Sequence, residues 1–194
     1  AVRHALAQGR EWLDQHEIVE VLDSYGVEVA SSTLAETPQE AAAAGRAYLV
    51  SAGAVVVKIA SRDISNKSDI GAVKLDLRTP EAIEAAAREL LDTIPKLRPH
   101  ARIDGVTVHP MIRRAHGREL IAGIKDDPTF GPVIVFGRGG KAVDQIGDVK
   151  LALPPLDLDL ANDLIDRTRV RRQIEAYRDV PAADRDAIVL TLMK

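Results

Sequence analysis

The chain has 194 residues, 46% hydrophobic but only 3% aromatic, so it can bury a sizeable core that must be built from Ala, Val, Leu and Ile. A formal charge of -3 without any Lys/Arg run gives no footing for a nucleic-acid partner, and no apolar run approaches the ~18 residues of a membrane span. The lack of cysteine excludes disulfides, thiolate nucleophiles and thiolate zinc sites together, and leads to the expectation of a cytoplasmic protein.

Ala1 to Gln15 is mixed and charged, unlike a secretory signal. Ile18, Val21, Leu22 and Tyr25 recur at helical spacing and predict a helix closed by Gly26. Thr37-Pro38-Gln39-Glu40 has capping-box spacing with Pro at the first helical position, which predicts a helix through the Ala run to about Leu49. Val55 to Ala60 reads as a buried strand, residues 61–71 as a polar loop, and Ala72 to Leu77 as the second strand of a hairpin. Thr79-Pro80-Glu81 opens a helix to about Leu91, and Pro95 and Pro99 mark a connection after it. Gly105 to Met111, Glu119 to Lys125, Pro132 to Phe136 and Val149 to Leu153 read as strands, followed by helices near Asp159 to Thr168 and Asp184 to Met193. Helix and strand alternating in this way point to α/β architecture.

Lys58 is the first candidate for chemistry. In a strand, Val56, Lys58 and Ala60 share one face, and an ammonium on an apolar face is costly unless an anion meets it. A phosphate would serve; the alternatives are a salt bridge to a nearby carboxylate, or an edge strand with that face wet. Residues 61–71 add Lys67, Ser68 and Gly71, which suit a lid over phosphates or an ordinary solvated hairpin tip. Gly137-Arg138-Gly139-Gly140-Lys141-Ala142 satisfies the dinucleotide-binding glycine pattern, but too few residues precede Val149 for a crossover helix, so that reading is rejected. The Walker A spacing is missing too. What remains is a glycine-rich turn with Arg138 and Lys141, able to approach an anion by backbone N–H groups, or a tight turn needing positive φ. None of His4, His16, His100, His109 and His116 is paired at i, i+4, which argues against a zinc pair, and His109 reads as structural. Glu119, Asp126, Asp127, Asp144 and Asp148 are the acids considered for magnesium, with solvated carboxylates as the alternative.

The pieces follow an order that resembles the ADP-forming acyl-CoA synthetases: Val57-Lys58-Ile59, then Ser61 through Ser65, Asn66, Lys67, Ser68 and on to Val73. Val108-His109-Pro110-Met111, Gly117-Arg118-Glu119-Leu120-Ile121-Ala122-Gly123, Asp127-Pro128-Thr129-Phe130-Gly131-Pro132-Val133, Gly137-Arg138-Gly139-Gly140, Leu153-Pro154-Pro155-Leu156 and Tyr177-Arg178 continue it. The similarity spans roughly residues 11–194, and the ordered set is what makes it specific.

The resemblance implies an ATP-grasp fold, two α+β lobes with the nucleotide cleft between them. The smaller lobe is expected at 29–104, and the second at 1–28 plus 105–194, with the C-terminal part of the fold missing. Lys58 would contact the phosphates, and the loop carrying Lys67, Ser68 and Gly71 would lie over them. Val108, His109 and Met111 would form the hinge presenting backbone groups to adenine, and the stretch around Glu119 would line the cleft, with Gly137, Gly139 and Gly140 as the glycine turn of the site. The implied cofactors are ATP/ADP and Mg2+, with the metal ligands in a later segment that does not occur before Lys194. Family chemistry runs through acyl phosphate and phosphohistidine, and a histidine usually precedes the loop lysine. That position is Asn66 here, so no catalytic residue is assigned, and the isolated piece is not expected to turn over. The second loop glycine is Ala72, and the acid after the glycine turn is the shorter Asp144. The leading expectation is an ATP/ADP-binding ATP-grasp domain of a multidomain acyl-CoA synthetase-like protein, which Asn66 tilts toward a degenerate module of a bacterial protein lysine acetyltransferase. Its rivals are the beta-type domain of an active ADP-forming acetate/acyl-CoA ligase and a scaffold that binds no nucleotide. Expected partners are the CoA-binding and ligase domains of a parent protein, or an acetyltransferase domain, with no nucleic acid and no membrane.

Overall fold

The computed structural model describes residues 1–10, 13–64, 66–140 and 147–194, so Ser65, Lys141, Ala142 and Asp144 lie outside the described residues. The chain divides into two compact units, Ala1–Ile112 and Arg113–Lys194. Among the described residues no helix is long and apolar enough to cross a membrane.

The first unit runs α1 (Val2–Ala7), α2 (Gln15–Ser24), β1 (Thr33–Ala35), α3 (Pro38–Ala52), β2 (Val55–Ala60), β3 (Val73–Leu77), α4 (Pro80–Leu97) and β4 (Gly105–Pro110). Its sheet has the order β1-β4-β2-β3, with every neighbouring pair antiparallel. The expected hairpin is β2–β3, and α3 and α4 pack on the sheet. Alternation sends Val55, Val57 and Ile59 of β2, with Val106 and Val108 of β4, into one core with Ala41, Ile83, Ala87, Leu90 and Ile94. Each Val, Leu or Ile side chain so buried contributes about 1.5–3 kcal/mol by leaving water.

Local signals were met unevenly. Thr37 caps α3 by accepting the Glu40 N–H at 3.2 Å, but the Glu40 carboxylate takes the Glu36 N–H at 2.9 Å, one residue upstream of the reciprocal box partner. α4 does not stop near Leu91. It continues through Pro95 to Leu97, because Ile83, Ala86, Ala87, Leu90 and Ile94 form one buried stripe and Pro removes a single helical bond close to the end. β4 is hydrogen-bonded between β1 and β2, so 105–112, like 1–28, groups with the first unit, whereas the resemblance placed both with the second lobe. The three-residue β1 was not expected; it is too short to show alternation.

The second unit runs β5 (Leu120–Asp127), β6 (Gly131–Arg138), β7 (Val149–Ala152), α5 (Leu158–Asp166), α6 (Arg171–Ile174) and α7 (Arg185–Met193). The antiparallel order is β5-β6-β7. Ile134 and Phe136 meet Leu156, Ala161, Leu164, Ile165, Val170, Ile174, Val189 and Leu192 in a second core. β6 extends two residues beyond the expected Phe136, so Gly137 and Arg138 belong to the strand rather than to a turn after it.

Candidate functional site

The two faces of the first sheet differ. Val55, Val57 and Ile59 are fully buried, whereas Lys58 and Ala60 are only half-buried on the opposite face. Register puts Thr107 directly across from Lys58, and His109 across from Val56, on that same face. The surroundings of Lys58 are therefore partly polar and open, not an apolar core face, which corrects the sequence argument about its dehydration. β2 is also central, which removes the edge-strand alternative. Among the described residues no carboxylate lies within ion-pairing distance of the Lys58 ammonium.

Lys67 faces the same region. Its Nζ donates to the Ile64 carbonyl at 3.0 Å, and burial, then the nearby Lys58 charge, push its pKa down. The loop is folded on itself. Ile64 and Ala72 are buried, Ala72 N donates to Lys67 O at 2.9 Å, and Gly71 turns the chain at φ 69°. Asn66, Ser68 and Gly71 are exposed.

His109 completes the group. Its Nε2 lies 3.0 Å from the Thr107 hydroxyl, which in turn donates to the Lys58 carbonyl at 3.5 Å. With the hydroxyl proton so placed, the ring donates from Nε2 and Nδ1 keeps a lone pair. Burial, then Lys58, push its pKa down to about 4, so the imidazole is neutral at physiological pH. The expected hinge offers less backbone than supposed. Val108 is inside the sheet, Pro110 has no N–H, and Met111 N donates to Ala54 O at 2.8 Å.

In the second unit Gly117, Arg118, Glu119, Arg138, Gly139 and Gln173 line an open polar depression of about 280 Å3. The glycines beside it serve packing. A Cβ on Gly137 would strike the Asp148 carbonyl and Val149 Cα, and one on Gly139 the backbone of Glu119 and Leu120. Gly140 sits at φ 90° against the Glu119 carboxylate. Arg138 N donates to Asp148 O at 2.9 Å and Gly139 N to Glu119 O at 2.7 Å. These two N–H groups belong to the sheet, so the expected backbone cradle for an anion is not formed by them.

The acids separate similarly. Asp148 is buried and accepts the N–H groups of Arg169 at 2.8 Å and Val170 at 2.7 Å. Asp127 accepts those of Thr129 and Phe130, which hold its pKa below the usual range. Both carboxylates are occupied structurally, while Glu119 is exposed at the depression. Among the described residues no three His, Cys, Asp or Glu side chains converge to hold a metal ion.

A family model described as an ATP-grasp domain matches residues 4–194. The chain belongs to the ATP-grasp family. Acetate–CoA ligase [ADP-forming] II subunit beta of Pyrococcus furiosus is 34% identical over 194 residues, all of this chain and 80% of that protein. Acetate–CoA ligase [ADP-forming] I of Archaeoglobus fulgidus is 38% identical over 175 residues, 90% of this chain but 24% of that protein. This ATP-grasp chain therefore spans about a quarter of the longer relative, and it is homologous to the beta subunits of ADP-forming acetate–CoA ligases. A solved structure of Ca. Korarchaeum cryptofilum dinucleotide forming acetyl-coenzyme A synthetase 1, in complex with coenzyme A, Ca-AMPCP and HgCl+, superposes with a TM-score of 0.88 at 33% identity. It covers 99% of this chain and 82% of that one, and it confirms the expected mixed α/β ATP-grasp fold.

The sequence reading missed Thr107, whose signal was the i, i+2 spacing to His109 on an expected strand. It also passed over Arg118, which donates to the carbonyls of Gln173 and Pro181 at 2.5 Å and of His116 at 3.1 Å. Gln173 had no local signal at all.

Proposed function

We propose that the chain is the ATP/ADP-binding region of an ADP-forming acyl-CoA synthetase-like protein. The observation that carries this reading is Lys58, a half-buried ammonium with no carboxylate partner among the described residues, near Lys67 and the neutral His109. Two ammonium groups converging without a counter-ion favour a polyanion. Lys58 and Lys67 would hold phosphates, with Ser68 and Gly71 in the loop over them. Val108, His109 and Met111 would flank the base, and Glu119 with Gly137, Gly139 and Gly140 would line the remaining side. The nucleotide would enter with Mg2+, and a cytoplasmic setting supplies both. Partners would be the CoA-binding and ligase domains of a parent protein.

Calorimetry with Mg-ADP and Mg-ATP tests this. The wild type should bind both, and Lys58→Ala should weaken binding at least tenfold, the value of a charge-assisted phosphate contact. Equal affinities would remove Lys58 from the site.

Asn66 favours a second, narrower reading: a degenerate module, as in protein lysine acetyltransferases. Its exposed amide sits where the family resemblance puts a histidine, and an amide nitrogen cannot take up a phosphoryl group as an imidazole can. Incubation with radiolabelled ATP should then leave no acid-labile phosphate on the chain. A stoichiometric acid-labile label would favour the active ligase instead.

A further inference from the structure

We propose that Lys67, in the loop between β2 and β3, is an acyl-accepting lysine, modified at Nζ by acyl phosphates. The modification rests on the surroundings of Lys67; only its effect on nucleotide affinity rests on the nucleotide reading above. Lys67 is half-buried. Among the described residues its Nζ has one hydrogen bond, to the Ile64 carbonyl at 3.0 Å, and no carboxylate within ion-pairing distance. The other lysines stand differently: Lys74 is paired with Glu89 at 2.6 Å, and Lys96, Lys125 and Lys150 are exposed to water. Burial, then the neighbouring Lys58 charge, lower the Lys67 pKa, so more of its amine is uncharged at neutral pH. With one N–H held by a carbonyl, the lone pair of that amine is left for an electrophile. Access is open, because the flanking Asn66 and Ser68 are exposed.

The class of reagent follows from Lys58. Its ammonium can seat a dianionic phosphate and stabilise it as it departs, so an acyl donor with phosphate on its carbonyl brings the electrophilic carbon to the neighbouring amine. A thioester carries no phosphate at the reacting carbon and gains nothing from Lys58 there. Nζ attacks the acyl carbon, the C–N bond forms, and the C–O bond to phosphate breaks with its electron pair leaving on the phosphate. One N–H proton passes to the departing phosphate. The amide keeps the other, so the bond to Ile64 O survives. The products are N-acyl-lysine and hydrogen phosphate. The side chain loses its charge, and polyanion affinity falls with it.

The experiment incubates the full chain with acetyl phosphate at about pH 7.5 and follows each lysine by peptide mapping and mass spectrometry. Lys67 should be acetylated at least about threefold faster than Lys96 or Lys150, from its larger share of free amine. Lys58→Ala should slow Lys67 at least about tenfold with acetyl phosphate, and less with p-nitrophenyl acetate, which carries no charge to seat. Lys58→Arg keeps the cation and should stay near wild type, a control if the Ala variant folds poorly. The pH–rate profile of Lys67 should move to higher pH in Lys58→Ala. The proposal falls if Lys67 reacts no faster than the exposed lysines, or if Lys58→Ala leaves its rate with acetyl phosphate unchanged. Calorimetry with Mg-ADP separates this proposal from the nucleotide reading. Chain acetylated at Lys67 should bind Mg-ADP at least about tenfold more weakly, whereas Lys67→Arg treated in the same way should keep its own affinity. Selective acetylation with Mg-ADP affinity unchanged would support the acceptor lysine and remove Lys67 from the nucleotide site. Mg-ADP binding without selective acetylation would overturn the acceptor lysine alone.

Discussion

His109 shows what one side chain contributes through its surroundings. Its folded pKa of about 4 lies below the ordinary 6.5, because burial and then Lys58 disfavour the imidazolium. As pH falls, the unfolded chain takes up the proton first. Stability is therefore unaffected above about pH 6.5 and lost progressively from there down to about pH 4. At about pH 5 the loss is on the order of 2 kcal/mol. His109→Gln keeps an amide donor for Thr107 and removes the titration. Urea unfolding at about pH 7.5 and about pH 5 should show wild type losing that amount relative to the variant, whereas a constant gap would mean that the ring titrates normally. That Lys58 shares a face with Val56 and Ala60 was legible because strand alternation assigns a face from spacing alone. His109 reads as structural from the sequence, and its place across from Val56 needed the register of β4 on β2. Asp148 and Asp127 were not legible, since their carboxylates are satisfied by backbone N–H groups that only the fold delivers. The Gly139 N–H was illegible for the same reason, its acceptor being the carbonyl of Glu119, just before β5.

At the scale of elements, β6 is held to its neighbour by a glycine rather than by a side chain. A Cβ at Gly137 would meet the backbone of Asp148 and Val149, which cannot rotate away as a side chain can. β7 would have to shift from β6, so Gly137→Ala should cost about 2–4 kcal/mol. Gly123 on β5 is the control: nothing lies within 4 Å of its added Cβ, and Gly123→Ala should change stability by less than about 0.5 kcal/mol. Chemical denaturation of both variants checks this, and equal effects would mean that β7 yields freely. Elements with long periodic stripes were legible, α4 even more than the rule for Pro95 allowed. β1 was not, since it exists only because β4 offers it an edge.

Across the whole molecule, each unit has its own aliphatic core, so stability can be read as a response to ligand rather than as one sum. A ligand that binds only folded protein stabilises it by mass action, about 2.7 kcal/mol at a hundredfold excess over Kd. If Lys58 grips the phosphates, Mg-ADP at that excess should raise the unfolding free energy of wild type by this amount. A tenfold weaker Lys58→Ala should gain only about 1.4 kcal/mol at the same concentration. Unfolding is expected to show whether one or two transitions respond, because cores that do not cooperate unfold separately. The fold itself was legible from the ordered motifs, some of whose glycines, such as Gly137 and Gly139, stand where backbones approach closely. The depression around Arg138 was not, because its lining comes from segments far apart in the chain, and only the register of β5 on β6 and the reach of Arg118 to Gln173 bring them together. Equal stabilisation of wild type and Lys58→Ala by Mg-ADP would place any nucleotide contact away from Lys58.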